Sequence, residues 1–99
     1  KLTSVANLFR DCGTLRSVPV SLFDEAVKLM TLTSTFQGCA SLEGESPYTV
    51  VDGVKYHLYD RTAENAAASG LTAITAAKSS FAGCTKLSDY DKIPTTWKE

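Results

Sequence analysis

The pattern Phe-x-x-Cys-x-x-Leu occurs three times in the 99-residue chain and constrains the fold more than any other sequence feature. We call the segments that contain it the first, second and third copies, residues 2–15, 29–42 and 74–87. The residues of the pattern are Phe9, Cys12, Leu15, Phe36, Cys39, Leu42, Phe81, Cys84 and Leu87. A repeat with fixed internal spacing indicates similar structural units that stack and bury a shared core.

The spacing within each copy predicts a short helix followed by a short strand. Four apolar or small positions fall at i, i+3, i+6 and i+7, on one face of a helix. After a turn, an extended stretch is expected to run to a proline, at Pro19, Pro47 or Pro94. The first two copies are 27 residues apart, as in leucine-rich repeats. The expected fold class is an α/β repeat: a short leucine-rich-repeat-like solenoid of three units.

An insertion is expected between the second and third copies, at about residues 43–70, because these copies are 45 residues apart. Within it, Asp52-Gly53 separates two β-rich runs and predicts a β-hairpin with a type I′ turn. That turn pairs Val51 with Val54 and Thr49 with Tyr56. Alanines 66–68 are expected to form one helical turn that Gly70 ends.

Local signals predict the structure of two further segments. Residues 21–28 carry a capping serine, acids in the first turn and a lysine in the last, which predicts a helix. Residues 93–97 are expected to cover the third copy, with Trp97 against it. The first copy starts at the beginning of the sequence, beside Lys1, so we expect its edge to be covered by preceding chain or by a partner.

Length and charge narrow the class of protein. A chain of 99 residues is expected to form a single domain, residues 1–99, here a fragment of a longer protein. Ten basic and eleven acidic side chains without a basic cluster argue against a nucleic-acid partner. No apolar run approaches the roughly 20 residues that span a bilayer, so no transmembrane segment is expected in this chain.

The three cysteines are expected to be buried free thiols. They occupy one equivalent position in the copies, whereas metal ligands usually come in close pairs. A disulfide between neighbouring copies remains an alternative in an oxidising compartment. No metal site and no cofactor are predicted.

His57, the only histidine, is expected to be solvated or packed, because no nucleophile motif accompanies it. The acidic residues of the insertion are expected to form a solvated face, since they do not have the regular spacing of the acids in a calcium-binding loop. No catalytic residue is therefore predicted, and the chain is not expected to be an enzyme. The candidate binding surface is the aromatic hairpin, with Tyr48, Tyr56, His57 and Tyr59; packing against the scaffold is the alternative.

The repeat resembles the BspA-like leucine-rich-repeat surface proteins of bacteria, as carried by residues 2–15 and by Phe81-Ala-Gly-Cys-Thr-Lys-Leu87. The resemblance covers about half the chain, the three copies. It implies a right-handed solenoid located outside the cell or on its surface, with a role in adhesion. This sequence departs from the pattern where Asp11 replaces the turn glycine, and where the insertion interrupts the array.

We therefore expect an extracellular or cell-surface, non-enzymatic interaction module that binds a protein or glycan ligand. The leading alternative is a structural spacer or terminal segment of a larger secreted protein, in contact with neighbouring repeats or domains. A small hydrolase is a distant third.

Overall fold

The computed structural model describes residues 2–99, so Lys1 lies outside the described part of the chain. Strand β1 (Tyr48–Val51) pairs with strand β2 (Val54–His57) in a two-stranded antiparallel sheet. One short α-helix, α1, spans Ala66–Ser69. Three 3-10 helices span Leu58–Asp60, Tyr90–Lys92 and Thr95–Lys98. No helix within residues 2–99 is long and apolar enough to cross a membrane.

The predicted leucine-rich-repeat solenoid was wrong. The protein is a small compact fold with one two-stranded sheet and few helices, and it is not a right-handed solenoid of three helix-and-strand units. None of the three copies contains a helix or a strand in its described residues; each is a succession of turns. The helix predicted over residues 21–28 is also absent, and turns occupy most of that segment.

Backbone conformation explains why the helical spacing gives no helix. Two residues in each copy have positive φ, at equivalent positions: Asn7 and Asp11, Ser34 and Gly38, Ser79 and Gly83. A left-handed residue every fourth position stops the chain from continuing the right-handed turns that an α-helix requires. The chain instead makes single turns, such as Leu8 N–H to the Val5 carbonyl, separated by reversals.

Neighbouring copies are joined by backbone hydrogen bonds, most of which run in one direction. The direction reverses near the start of each copy, where Met30 and Thr31 donate to the Thr3 carbonyl and Thr75 and Ala76 donate to the Met30 carbonyl. Along the rest of each copy it is constant. The first copy donates to the second and the second donates to the third, with N···O distances of 2.6 to 3.0 Å. The pairs from first to second are Val5–Thr31, Asn7–Thr33, Phe9–Thr35 and Asp11–Gln37; those from second to third are Leu32–Ala76, Ser34–Lys78, Phe36–Ser80 and Gly38–Ala82. The copies therefore lie side by side in sequence order although they form no regular sheet.

The core lies along the phenylalanines of the three copies. The rings of Phe9 and Phe36 stack with centroids 5.3 Å apart, and those of Phe36 and Phe81 with centroids 5.2 Å apart. The edge of Phe23, from the segment after the first copy, packs on Phe36. Phe36 and Phe81 are completely buried. Stacked rings of this kind contribute about 0.5–1.5 kcal/mol per pair beyond the area that they bury.

The inserted hairpin and the helical turn after it are confirmed. Val51 pairs with Val54 and Thr49 with Tyr56, the register predicted from the turn. Asp52 and Gly53 both have positive φ, as a type I′ turn requires. Gly70 ends α1 in the left-handed conformation.

Arg61 attaches the insertion to the segment after the first copy. Its side chain is 2% exposed. The guanidinium donates from Nη1 to the Ala26 carbonyl at 2.8 Å and from Nη2 to the Phe23 carbonyl at 3.0 Å. It also donates to the Thr49 hydroxyl of β1, at 3.3 Å. One buried cation therefore fixes the hairpin against the turns of residues 23–26.

The C-terminal segment covers the third copy, as the sequence predicts. The indole of Trp97 is nearly parallel to the ring of Phe81, with centroids 6.3 Å apart. The N–H groups of Ser79 and Phe81 donate to the carbonyls of Thr96 and Trp97. The C-terminal turn thus lies where a fourth copy would stack on the third.

We predict that Trp97→Ser lowers the free energy of unfolding by about 2 kcal/mol, because it removes a stacked ring from the end of the core. Urea denaturation followed by circular dichroism measures this change. The control is Thr95→Ala, an exposed position in the same 3-10 helix, with an expected change within about 0.5 kcal/mol. Equal stability of Trp97→Ser and the wild type would show that Trp97 is not a structural cover.

Candidate functional site

The hairpin brings together three of its four candidate binding residues. The imidazole of His57 lies between two tyrosine rings, with its centroid 5.3 Å from that of Tyr48 and 4.9 Å from that of Tyr59. These residues come from β1, β2 and the 3-10 helix that follows β2. Tyr56 points to the opposite face of the hairpin and is buried. Tyr56 is therefore a packing residue.

Both ring nitrogens of His57 face carboxylates. Nε2 lies 2.6 Å from Glu45 Oε2, and Nδ1 lies 3.2 Å from Asp60 Oδ2. Lys55 adds a second cation, with Nζ 3.0 Å from Glu45 Oε2 and 4.5 Å from the centroid of the Tyr48 ring. The hydrogen bonds from His57 and Lys55 lower the pKa of Glu45. Glu45 and Asp60, which remain partly exposed, thus also belong to an interacting group.

Asp89, after the third copy, links this group to the rest of the fold. Its buried carboxylate accepts hydrogen bonds from the Ser46 N–H, the Ser46 hydroxyl and the Tyr59 hydroxyl. Burial opposes ionisation, but the hydrogen bonds from Ser46 and Tyr59 outweigh it and lower the pKa of Asp89. Burial, with the carboxylate of Asp89, raises the pKa of Tyr59. We call Glu45, Tyr48, His57, Tyr59, Asp60 and Asp89 the hairpin cluster.

The geometry of the hairpin cluster suits anchoring better than catalysis. A triad requires a hydroxyl or thiol hydrogen-bonded to the histidine. Both nitrogens of His57 are instead on carboxylates, and the Ser46 hydroxyl donates to Asp89. Within residues 2–99, no three His, Cys, Asp or Glu side chains are grouped so that they could hold a metal ion. The polar groups of the cluster satisfy one another, which joins the hairpin to the third copy.

The cysteines are free thiols in equivalent places. Cys39 Sγ lies 3.1 Å from the carbonyl of Phe9 and Cys84 Sγ lies 3.0 Å from that of Phe36, so each thiol faces the copy before it. Burial raises the pKa of Cys84 to about 12 and also raises that of Cys39. These two thiols remain protonated at neutral pH, which disfavours nucleophilic chemistry.

The first copy exposes residues whose equivalents in the second copy are buried. Leu2 is 53% exposed, whereas Leu29, at the same position of the second copy, is fully buried. Leu8 is 56% exposed, whereas Thr35 is fully buried and its hydroxyl donates to the Val5 carbonyl. Leu8 therefore lies on the side of the first copy that faces away from the second copy.

A groove of about 310 Å³ lies at this uncovered side of the first copy. It is bounded by the first copy and by the segment that follows it. We call this surface the open end; its apolar lining consists of Leu2, Val5, Leu8, Leu22, Phe23 and Ala26. The hydrophobic residues exposed at or beside it include Leu22 and Val27. The structure thus places its main apolar surface away from the hairpin.

The sequence did not identify Asp89, whereas the open end lies at the edge of the first copy that was expected to need a cover. Asp89 has no equivalent acid in the other copies, because Ser17 and Gly44 occupy its position, so no repeated signal marks it. The open end did have a signal. Leu8 stands at a position where Thr35 and Ser80 provide small hydroxyl side chains, and this substitution indicates a different environment.

In comparisons with known proteins, no family model, no curated protein and no solved structure matches the chain.

We predict that Asp89→Asn lowers the free energy of unfolding at neutral pH by about 2 kcal/mol, because the Tyr59 hydroxyl and Ser46 lose a charged acceptor. The folded-state pKa values of Glu45 and Asp89 lie below their ordinary values of 4.5 and 3.8. Their contribution is therefore complete above about pH 4.5 and is lost as the pH falls through the lower folded-state values. Wild type and Asp89→Asn should consequently converge in stability on acidification.

Urea denaturation at neutral pH and at about pH 3 measures this convergence. The control is Asp91→Asn, which changes an exposed acid two residues away. A stability difference between Asp89→Asn and the wild type that stays constant over this range would contradict the assignment of Asp89.

Proposed function

We propose that this protein is a non-enzymatic interaction module that binds a protein partner at the open end, outside the cell or at the cell surface. The observation that carries the proposal is the exposure of Leu2 and Leu8 beside an apolar groove. Apolar side chains that are grouped on a surface, instead of scattered, are typical of binding sites.

Burial of these side chains supplies the driving force. Covering a leucine side chain contributes about 1.5–3 kcal/mol relative to leaving it in water. A partner that covers Leu2, Leu8 and Leu22 together therefore gains enough to offset part of the entropy lost on association. An apolar lining also favours a protein partner over a glycan, whose hydroxyl groups need polar contacts.

In this proposal the hairpin stabilises the fold and does not contact the partner. Its candidate binding residues are occupied by internal contacts: His57 by two carboxylates, Tyr59 by Asp89, and Tyr56 by burial. The location outside the cell is supported by the resemblance of the copies to bacterial surface proteins.

A peptide-display selection tests the proposal. The immobilised protein is panned against a library of random peptides, and the enriched peptides are measured against purified variants. We expect Leu8→Asp to weaken binding about tenfold or more, because it places a charge in the apolar groove. The matched control is Val50→Asp, an exposed apolar position on the hairpin, and it should bind as the wild type does.

Circular dichroism of both variants establishes that they fold. Failure to enrich any peptide over a protein-free surface would contradict the proposal. Equal binding by Leu8→Asp and the wild type would also contradict it, as would binding on a glycan array that survives Leu8→Asp.

A further inference from the structure

The open end presents a row of four hydrogen-bond acceptors along its backbone, next to the N–H groups of Thr3 and Ser4, whose equivalents in the second copy donate to the Thr3 carbonyl. In the second copy the carbonyls of residues 31, 33, 35 and 37 accept from the first copy, and in the third copy those of residues 76, 78, 80 and 82 accept from the second. The equivalent carbonyls of the first copy are those of Ser4, Ala6, Leu8 and Arg10. Within residues 2–99, none of these four accepts a backbone hydrogen bond. The N–H groups of the residues that follow them, 5, 7, 9 and 11, already donate to the second copy.

A row of four acceptors needs a partner that presents donors at the same spacing. Pairing of two open ends is disfavoured, because their two rows of carbonyls would face each other. A second molecule could supply donors only from its third copy. Two of those donors, on Ser79 and Phe81, are already used by the carbonyls of Thr96 and Trp97. A second copy of the chain is therefore disfavoured as the occupant.

The contacts between copies define the chemistry that such an occupant would have. The phenylalanine rings of neighbouring copies have centroids 5.2 to 5.3 Å apart, and Phe9 is the last ring of the stack at the open end. Each layer also offers its phenylalanine carbonyl to the cysteine of the following layer. Cys12 is partly buried and stands at the position of Cys39 and Cys84. A matching segment would supply an aromatic ring for Phe9 and a carbonyl for Cys12.

Asp11 limits how closely such a segment can approach the first copy. A Cβ atom placed on Gly38 would lie 2.6 Å from Asp11 Oδ1, so the layers approach closely at this point. Gly38 and Asp11 occupy equivalent positions and both have positive φ. By this equivalence the Cβ of Asp11 lies on the side that an occupant would approach, while its Oδ1 lies close to Gly38. Replacement by glycine should admit the occupant more closely.

We propose that the open end binds a peptide segment of the same pattern as its own copies. The segment stacks an aromatic ring on Phe9 and donates alternate backbone N–H groups to the carbonyls of Ser4, Ala6, Leu8 and Arg10. This inference rests on the proposed function, since it names the partner of the same surface. It continues an interface that the protein already forms twice, between its first and second and its second and third copies.

The test uses the full chain, labelled with ¹³C and ¹⁵N, and a synthetic peptide with the sequence of residues 29–42. In an HNCO spectrum the amides of residues 5, 7, 9 and 11 report the carbonyls of residues 4, 6, 8 and 10. We expect these four carbonyl resonances to move downfield as the peptide is added. Leu8→Asp should weaken binding about tenfold or more, and Asp11→Gly should tighten it.

Matched peptides separate the backbone from the side chains. Methylation of the amide nitrogen equivalent to Ser34 removes a donor that the ladder uses and should abolish binding. The same change at Thr33, whose N–H makes no backbone hydrogen bond in the protein, should leave binding intact. A peptide with Phe36→Ser tests the stacked ring and should bind at least about tenfold more weakly.

The outcomes distinguish this inference from the proposed function. Library peptides that bind in a Leu8-dependent manner without moving the four carbonyls would overturn the inference alone. Loss of binding in Asp11→Gly would also overturn it, because the carboxylate would then be the contact. Concentration-dependent self-association that moves the same carbonyls would identify a second copy as the occupant and overturn it as well. No Leu8-dependent binding by any peptide would refute both.

Discussion

The fold depends on a row of four peptide groups, in each of the first two copies, that point the same way. Positive φ at two equivalent positions in each copy turns alternate N–H groups toward the following copy and the intervening carbonyls toward the preceding one. This alignment brings the phenylalanine rings into a stack and places each buried thiol under a carbonyl. It also makes the two ends different. The donor end is covered by the C-terminal turn, whereas no residue from 2 to 99 covers the acceptor end.

The insertion has a separate function in the fold: it joins the segment after the first copy to the segment after the third. Arg61 connects it to the carbonyls of the segment after the first copy, and Asp89 connects the hairpin cluster to the segment after the third. Both are buried charges whose hydrogen bonds stabilise the structure only while their partners are present. Among the aromatic residues that made the hairpin a binding candidate, Tyr59 donates to Asp89, His57 lies between two carboxylates and Tyr56 is buried.

The turn signal of the hairpin was reliable, whereas the repeat and the capping signals of residues 21–28 were misinterpreted as helices. Asp52-Gly53 specified its turn and register correctly, because a type I′ turn depends on two residues only. The helical spacing of the copies was misleading, since the same face is produced by single turns separated by left-handed residues. Asn7, Ser34 and Ser79 share no residue type that demands positive φ. Asp89 and Arg61 act through contacts far apart in sequence, which no spacing reveals.

The central claim is that the copies are joined by hydrogen bonds that run from each copy to the next. Long-range HNCO spectra detect such bonds directly, through the coupling between a donor amide and its acceptor carbonyl. The account predicts cross-peaks from the amides of Val5, Phe9 and Phe36 to the carbonyls of Thr31, Thr35 and Ser80. It predicts none to the carbonyls of residues 4, 6, 8 and 10. Couplings within each copy from residue i to residue i−4, as in a helix, would contradict it.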